Sequence, residues 1–328
     1  MSSSGTTTPP RDQASRLRAM VSSLTGPGLS VVTWAEKNPP SPRNAPPPQA
    51  PRREASIPVV AITSGKGGVG KTSISVNLAI ALSRRGCRVG LLDADLGLAN
   101  ADLLCGLNPT TRLDALIEPR QPGGTRRSLD QIAIKAPGGF RLVPGAVGVS
   151  KLANLSAPQR DLILDGLADL ERECDLILID TGAGISDGVT SFVREADLVL
   201  LVTTPEPTSI ADSYALMKCV ISGGQAPVFS MVANMVESRD EALKVHARLS
   251  GTCAKFLRLT LPLVGIIRQD EALVDSVRER TPAMLGTPRA KCSRDVDDLA
   301  GRLMRTLQVG PRASRGPRRG LFAWLSGR

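Results

Sequence analysis

Short apolar segments alternate with amphipathic segments from position 57 to position 307, and this alternation is the main structural signal of the chain. The apolar segments predict β-strands at residues 59–63, 88–93, 139–143, 175–180, 198–203, 228–233 and 263–267. The amphipathic segments predict helices at residues 72–85, 158–173, 209–221 and 237–250. Such an order is typical of right-handed βαβ units, so we expect an α/β fold with a mostly parallel sheet covered by helices on both faces.

The pattern divides the chain into an extension (1–56), a folded body (57–307) and a tail (308–328). In the extension, apolar residues follow helical spacing at Ala14, Leu17, Val21 and Leu24, which predicts a short amphipathic helix over residues 11–24. A helix of this length is marginal alone, so it either packs on a partner or docks on the body. The segment 39–51 is rich in proline and predicts an extended linker.

The tail ends in RGPRRGLFAWLSGR, in which arginines bracket four large apolar side chains. This arrangement is typical of a short interfacial helix, in which the apolar residues enter the headgroup region of a membrane and arginine attracts anionic lipid. The alternative is a tail that packs on the body. The apolar set is Leu321, Phe322, Trp324 and Leu325.

The charge distribution and the composition limit the classes of function that the chain can have. The net charge is +10, but residues 1–56 contribute +4 and residues 307–328 contribute +5, so the body is nearly neutral. This distribution argues against a broad nucleic-acid-binding face on the body, and we expect the tails to meet acidic surfaces. Six scattered cysteines and one histidine argue against a zinc site or a histidine triad. Without a signal peptide or a long apolar run, we expect a reducing cytoplasm.

A glycine-rich loop between the first predicted strand and helix carries the clearest chemistry. It reads GKGGVGKT from Gly65 to Thr72, and its glycines let backbone N–H groups approach an anion at a helix N-terminus. The same letters fit a dinucleotide fingerprint, but Lys71 and Thr72 favour a nucleoside triphosphate with Mg²⁺. The predicted nucleotide-binding residues are Gly65, Gly67, Gly68, Val69, Gly70, Lys71, Thr72 and Ser73.

Aspartates end two of the predicted strands. Asp93 and Asp95 follow one apolar run, and Asp180 ends another before a predicted flexible turn over residues 181–184. A single such aspartate is often a helix cap or a turn residue. Two of them beside a phosphate loop instead favour a site that holds Mg²⁺ directly or through water.

Lys66 adds a second lysine to the loop, and KGGVGKT resembles the deviant Walker A motif of MinD/ParA ATPases. Together with DADLGLANADLLCGL, DTGAGIS, TTPEPTSIADSYALMK and NMV, it resembles the FlhG (FleN/YlxH) regulators of flagellar number over about residues 57–307. The resemblance implies slow ATP hydrolysis, with ATP and Mg²⁺ bound in a homodimer. It gives Lys66 a role across the dimer interface, although Lys66 alone could be a solvated loop residue.

The resemblance also implies roles for other positions. Lys71 and Thr72 would hold phosphate and Mg²⁺, Asp95 would orient the attacking water, and Asn234 would contact adenine. Asp93 and Asp180 would support the metal. One departure is Arg268, which stands where the family usually has proline near the adenine pocket.

The two ends of the chain extend the resemblance. The stretch from Asp12 to Arg18, DQASRLR, resembles the element by which FlhG proteins activate the FlhF GTPase, which favours a partner for the first helix. The tail resembles the membrane-targeting sequence of MinD-type ATPases, which implies peripheral attachment to the inner face of the cell membrane. A flagellar C-ring component and a flagellar transcription regulator are further candidate partners.

Two other functions remain open on the sequence. A ParA-like partition ATPase would bind DNA nonspecifically, which the neutral body and the aromatic tail disfavour. A metal-cluster carrier of the related Mrp group is disfavoured because the chain contains no CxxC motif.

Overall fold

The computed structural model describes residues 57–117, 127–146, 156–224 and 226–310. The predicted helix at 11–24, the linker and the apolar tail lie outside these ranges. Among the described residues, no helix has both the length and the apolar character needed to cross a membrane.

Eight strands form one sheet in the order β3-β4-β2-β5-β1-β6-β7-β8, and every neighbouring pair is parallel except β3 with β4. The predicted mostly parallel α/β fold is therefore confirmed. The strands are β1 (Val59–Ser64), β2 (Val89–Ala94), β3 (Ile134–Lys135), β4 (Arg141–Val143), β5 (Leu176–Ala183), β6 (Leu198–Thr203), β7 (Val228–Val236) and β8 (Leu263–Arg268).

Five long helices account for most of the cover on the sheet: α1 (Lys71–Arg84), α5 (Ala157–Glu171), α7 (Pro207–Ser222), α8 (Arg239–Phe256) and α11 (Lys291–Leu307). The sequence predicts the first four within a few residues, except that α8 continues six residues beyond the expected end. The shorter helices are α2 (Ala101–Leu104), α3 (Asp114–Ile117), α4 (Leu129–Ile132), α6 (Asp187–Glu195), α9 (Glu271–Arg278) and α10 (Ala283–Gly286).

The two faces of the sheet are buried in two separate apolar cores. In β1, Val59 and Ala61 point into one core, whereas Val60 and Ile62 point into the other. Because strands buried on both faces are apolar at consecutive positions, the runs in the sequence show no polar alternation. Helix α11, for which the sequence analysis makes no prediction, buries Leu299 and Leu303 in the second core beside α1.

The central strand β1 lies between β5 and β6, so the chain turns to opposite sides of β1 as the sheet is built. Ligands of open α/β sheets bind at such a switch point, outside the carboxyl ends of the strands. At this end the ladder between β1 and β5 is irregular, because Ile62 lies opposite Asp180 but Ser64 lies opposite Ala183. Residues 181–183, predicted as part of a flexible turn, are the last residues of β5; this prediction is wrong because the bulged pairing with β1 extends the strand.

Candidate active site

The glycine-rich loop joins β1 to α1 and bends sharply twice. Gly68 and Gly70 have φ values of 77° and 84°, in the left-handed region that favours glycine. Gly70 is also the N-cap of α1, where it contributes no side-chain cap. The first N–H groups of α1 are therefore left for a ligand, which is the arrangement that binds phosphate.

Two other parts of the fold press against this loop and explain its glycines. A Cβ atom on Gly65 would lie 2.1 Å from the carbonyl carbon of Asp212 in α7. A Cβ atom on Gly70 would lie 2.7 Å from Nδ2 of Asn234 in β7. The loop is thus fixed between α7 and β7, which holds its shape before any ligand arrives.

Lys71 is the first residue of α1 and is 7% exposed. Burial lowers the pKa of its ammonium group, while the nearby Asp180 and Asp95 act in the opposite direction. A buried cation beside two acids at a helix N-terminus is well placed to meet phosphate oxygens, since it is largely desolvated before the ligand binds.

Asp180 of β5 lies opposite Asp93 of β2 and is fully buried. Its Oδ1 accepts a hydrogen bond from Ser75 Oγ at 2.8 Å, and its buried Oδ2 has no hydrogen-bond partner among the described residues. Burial raises the pKa of Asp180, and the hydroxyls of Thr72 and Ser75 oppose that shift. An unpaired buried carboxylate oxygen beside Thr72 and a phosphate loop fits a Mg²⁺ ion, held directly or through water.

Asp93 has a different role from Asp180. Its Oδ1 accepts from the backbone N–H of Asp95 at 3.2 Å, and its Oδ2 accepts from those of Asn100 and Ala101, both at 3.0 Å. Burial, and secondly the charge of Asp180, raises the pKa of Asp93. Because both its oxygens accept from the backbone, Asp93 holds the loop at residues 95–101 in place.

Asp95 begins that loop and is partly exposed. Its Oδ1 accepts from the N–H of Leu98 at 3.3 Å. A Cβ atom on Gly182 would lie 3.4 Å from the same oxygen, so the bulged end of β5 passes close to Asp95. The carboxylate therefore lies at the mouth of the site, near the ends of both β2 and β5, where solvent can reach it.

Asn234 is 1% exposed and lies beneath the loop. Its Nδ2 donates to the carbonyl of Val69 at 2.7 Å, and its Oδ1 has no hydrogen-bond partner among the described residues. The amide therefore supports the phosphate loop with its donor and leaves one buried acceptor for another group.

Lys66, which the resemblance places across a dimer interface, is paired within its own chain. Its ammonium group forms an ion pair with Glu206 and donates to Thr208 Oγ1 at 3.1 Å. Neither of these partners is predicted from the sequence, and Ser75 is not predicted either. Ser75 could have been found, since it lies one helical turn after Lys71 and shares its face of α1.

Arg268, the departure from the family pattern, is held by α11. Its guanidinium donates to both carboxylate oxygens of Asp295, at 2.9 and 2.7 Å, and its backbone N–H donates to the same carboxylate at 3.0 Å. This bidentate pair fastens the end of β8 to α11. The guanidinium thus has a structural partner at the position where the family usually has proline.

Comparisons with known proteins agree with this geometry. Residues 60–283 match the model of the CobQ/CobB/MinD/ParA nucleotide binding domain. The chain is 43% identical to antiactivator FleN of Pseudomonas aeruginosa over 237 residues, which cover 72% of this chain and 82% of FleN. It is 35% identical to the flagellum site-determining protein YlxH of Helicobacter pylori, over 81% of this chain and 87% of YlxH.

The chain belongs to the FlhG (FleN/YlxH) family of MinD/ParA-type ATPases. Among solved structures, the cell division ATPase MinD of Pyrococcus furiosus superposes with a TM-score of 0.62 at 25% identity, covering 76% of this chain and 98% of MinD. The FlhG family assignment predicted from the motifs is thus confirmed.

Proposed function

We propose that this chain is an ATP-hydrolysing dimerisation switch that attaches to the membrane and regulates flagellar number or placement. The observation that carries the proposal is the position of buried Lys71 at the start of α1 near Asp180, whose buried Oδ2 has no hydrogen-bond partner among the described residues. The identity to FleN and YlxH supports the flagellar role.

ATP is the proposed substrate, and Asn234 supports that choice. Its buried Oδ1 has no hydrogen-bond partner among the described residues and can accept a hydrogen bond from the amino group of adenine, whereas guanine presents a carbonyl oxygen at the equivalent position. An acceptor facing a carbonyl oxygen would be left unpaired, which disfavours guanine nucleotides.

The chain's own residues would carry out hydrolysis mainly by positioning and charge neutralisation. Lys71 and the N–H groups at the start of α1 bind the phosphates, and Asp95 orients the attacking water at the mouth of the site. Thr72 and Asp180 would hold Mg²⁺, with Asp93 behind them, and the bound ion would neutralise the charge that develops on the phosphate oxygens. Lys66 completes the site of the partner subunit, so hydrolysis requires the dimer. As the family resemblance implies, we expect this hydrolysis to be slow.

The two ends of the chain would supply the outputs of the switch. Residues 11–24 would activate an FlhF-type GTPase through the segment from Asp12 to Arg18. Residues 315–328 would bind anionic lipid through Leu321, Phe322, Trp324 and Leu325. Because a short amphipathic helix binds weakly alone, two copies in an ATP dimer would bind much more strongly than one.

A single experiment tests the switch. ATP-dependent dimerisation and binding to anionic liposomes are measured for the wild type, for Asp95→Ala and for a form that lacks residues 320–328. We expect Asp95→Ala to accumulate as an ATP dimer on liposomes because it binds but does not hydrolyse ATP. The truncated form should dimerise and stay in solution. Equal liposome binding by the truncated form would refute the assignment of membrane binding to the tail, and binding of the ATP form to DNA instead of lipid would favour a partition protein.

A further inference from the structure

A buried ion pair joins α2 to the segment that follows β4. Asp102 lies in α2, and its side chain is fully buried. Its Oδ2 accepts from Nη2 of Arg112 at 2.5 Å. The other terminal nitrogen of Arg112, Nη1, donates to the backbone carbonyl of Gly145 at 3.1 Å. One guanidinium therefore holds two segments of the chain together.

The segment after β4 packs closely against the loop at residues 95–101. A Cβ atom on Gly145 would lie 2.6 Å from Cβ of Ala99 and 2.7 Å from the backbone carbonyl oxygen of Asp93. Helix α2 begins directly where this loop ends. The guanidinium of Arg112 thus acts on the loop from two sides, through α2 and through Gly145.

The loop depends on its two ends for the position of Asp95. At the first end, Asp93 accepts from the backbone N–H groups of Asn100 and Ala101. The hydrogen bond that Asp95 accepts from Leu98 lies within the loop, so it orients the carboxylate only as well as the loop itself is placed. Helix α2 at the second end has four residues, and one helical turn is stable only when tertiary contacts hold it. The ion pair supplies such a contact.

Burial makes this ion pair sensitive to the loss of either member. The side chain of Arg112 is 20% exposed, and that of Asp102 is 0% exposed. The second carboxylate oxygen of Asp102, Oδ1, is buried without a hydrogen-bond partner among the described residues. Removal of the arginine would leave a buried carboxylate without its countercharge, which is costly. The carboxylate would then shift toward water, and α2 would shift with it.

From this geometry we propose that Arg112 is a positioning residue for hydrolysis, which holds Asp95 in place through Asp102 and Gly145. The proposal rests on the function given above, in which Asp95 orients the attacking water. A displacement of about 1 Å in a reacting group can reduce a rate about 100-fold, so a small shift of the loop is enough to slow hydrolysis. ATP binding depends instead on the phosphate loop and Lys71, which the ion pair does not contact.

The test measures steady-state ATP hydrolysis by the full-length protein, at a protein concentration that saturates the rate. Arg112→Gln removes the charge, and its shorter side chain cannot reach Asp102 and Gly145 together. We expect kcat to fall about 10- to 100-fold, with the KM for ATP changed by less than about twofold. Arg112→Lys keeps a charge for Asp102 but lacks the fork that also reaches Gly145, so its kcat should lie between the two.

Arg88→Gln is the matched control, because it removes an arginine from another ion pair of the same sheet. Arg88 pairs with Asp175 at 2.8 Å, and these residues precede β2 and β5, at the end of the sheet opposite to the site. We expect this variant to lower the thermal unfolding temperature and to keep the kcat of the wild type. A fall in its kcat equal to that of Arg112→Gln would overturn the proposal, since any loss of stability would then slow hydrolysis.

A double variant separates position from stability. Asp102→Asn combined with Arg112→Gln leaves no unpaired charge in the interior, so it should regain most of the stability that Arg112→Gln loses. We expect its kcat to stay low because the link to Gly145 is still absent. A kcat that recovers together with stability would overturn the proposal, as would a normal kcat for Arg112→Gln. If Asp95→Ala hydrolyses ATP at the rate of the wild type, the proposed function itself fails.

Discussion

Asp93 and Asp180 lie opposite each other on adjacent strands, and both are fully buried. Asp93 gives both oxygens to backbone N–H groups, whereas Asp180 keeps one oxygen without a partner among the described residues. Of these two similar residues at matched positions, one is thus occupied in holding a loop, whereas the other leaves an oxygen available for a ligand.

Asp180→Asn should separate binding of ATP from binding of Mg²⁺. The amide keeps the shape of the side chain and an oxygen for Ser75, but it lacks the negative charge that a Mg²⁺ ion prefers. We expect Mg²⁺ to strengthen ATP binding to the wild type and to have little effect on the variant, with hydrolysis reduced at least about 100-fold. Calorimetric titration with and without Mg²⁺ measures the difference. Ser75→Ala is the milder control, and an Asp180→Asn variant with normal Mg²⁺ dependence would contradict the assignment.

The nucleotide-free protein should lose stability as pH rises from 6 to 8. Burial raises the folded-state pKa of Asp93 and Asp180 above their unfolded values, so their contribution is fully present below about pH 4. It is lost as pH rises through the folded pKa values, because each carboxyl must then ionise inside the protein. We expect urea unfolding to show a decrease of about 1–2 kcal/mol over this range. Mg²⁺ and ATP should reduce the decrease, and a rise in stability would show that the carboxyls are already ionised at pH 6.

Two glycines of the phosphate loop should respond differently to alanine. Gly65→Ala would place a methyl group against the backbone of α7, whereas a methyl group on Gly67 would have no atom of the described residues, apart from its chain neighbours, within 4 Å. We expect Gly65→Ala to reduce the free energy of unfolding by about 1–3 kcal/mol or more and Gly67→Ala to leave it nearly unchanged. Thermal unfolding without nucleotide measures this contrast. Equal losses for both variants would mean that α7 does not fix the loop.

Asn234 should contribute both to stability and to selection of the base. Asn234→Asp replaces the donor to Val69 with a second acceptor, so two oxygens would face each other in a buried position. We expect a loss of about 1–3 kcal/mol for this variant, and a smaller loss for Asn234→Ala. In Asn234→Ala the ratio of ATP affinity to GTP affinity should also fall, by about tenfold. A ratio equal to that of the wild type would leave Asn234 with a role in the loop alone.

Deleting residues 11–24 should abolish stimulation of the cognate FlhF-type GTPase and leave ATP binding unchanged. The reason is that the predicted helix carries the segment from Asp12 to Arg18, which lies before the folded body. GTP hydrolysis by the partner, measured with and without this protein, tests the expectation. A matched deletion in the linker, at residues 39–51, should retain stimulation. Full stimulation by the first deletion would remove the helix from the interaction.

The phosphate loop and the strand-end aspartates could be predicted from sequence because each motif is local. The residues from Gly65 to Thr72 specify a turn and the start of a helix. An aspartate that follows an apolar strand lies at the carboxyl end of that strand in a parallel sheet. The assignment of separate roles to Asp93 and Asp180 could not be predicted, since it depends on backbone groups of the loop at 95–101.

Contacts between segments that are far apart in the chain could not be predicted from the sequence either. The pairing of Lys66 with Glu206 depends on how α7 packs against β1. One local feature of the sequence points to it, because Glu206 stands at an N-cap position where helices prefer smaller capping residues. Helix α11 could not be predicted from the apolar pattern for a different reason. Its buried positions are interrupted by charged residues such as Arg302, which lies across the outer side of β8 and donates to the carbonyl of Val264 at 3.3 Å.

The bulge between β1 and β5 has a consequence for how the length of this region can vary. Between the pair Ile62 with Asp180 and the pair Ser64 with Ala183, β5 contains one more residue than β1. That additional residue brings Gly182 beside Asp95 while Asp180 stays in register with Asp93. A deletion of one residue there would make the ladder between β1 and β5 regular and would withdraw Gly182 from Asp95, while the pairing of Asp180 with Asp93 would be kept. The number of residues in this segment, as well as their identity, therefore determines what lies beside Asp95.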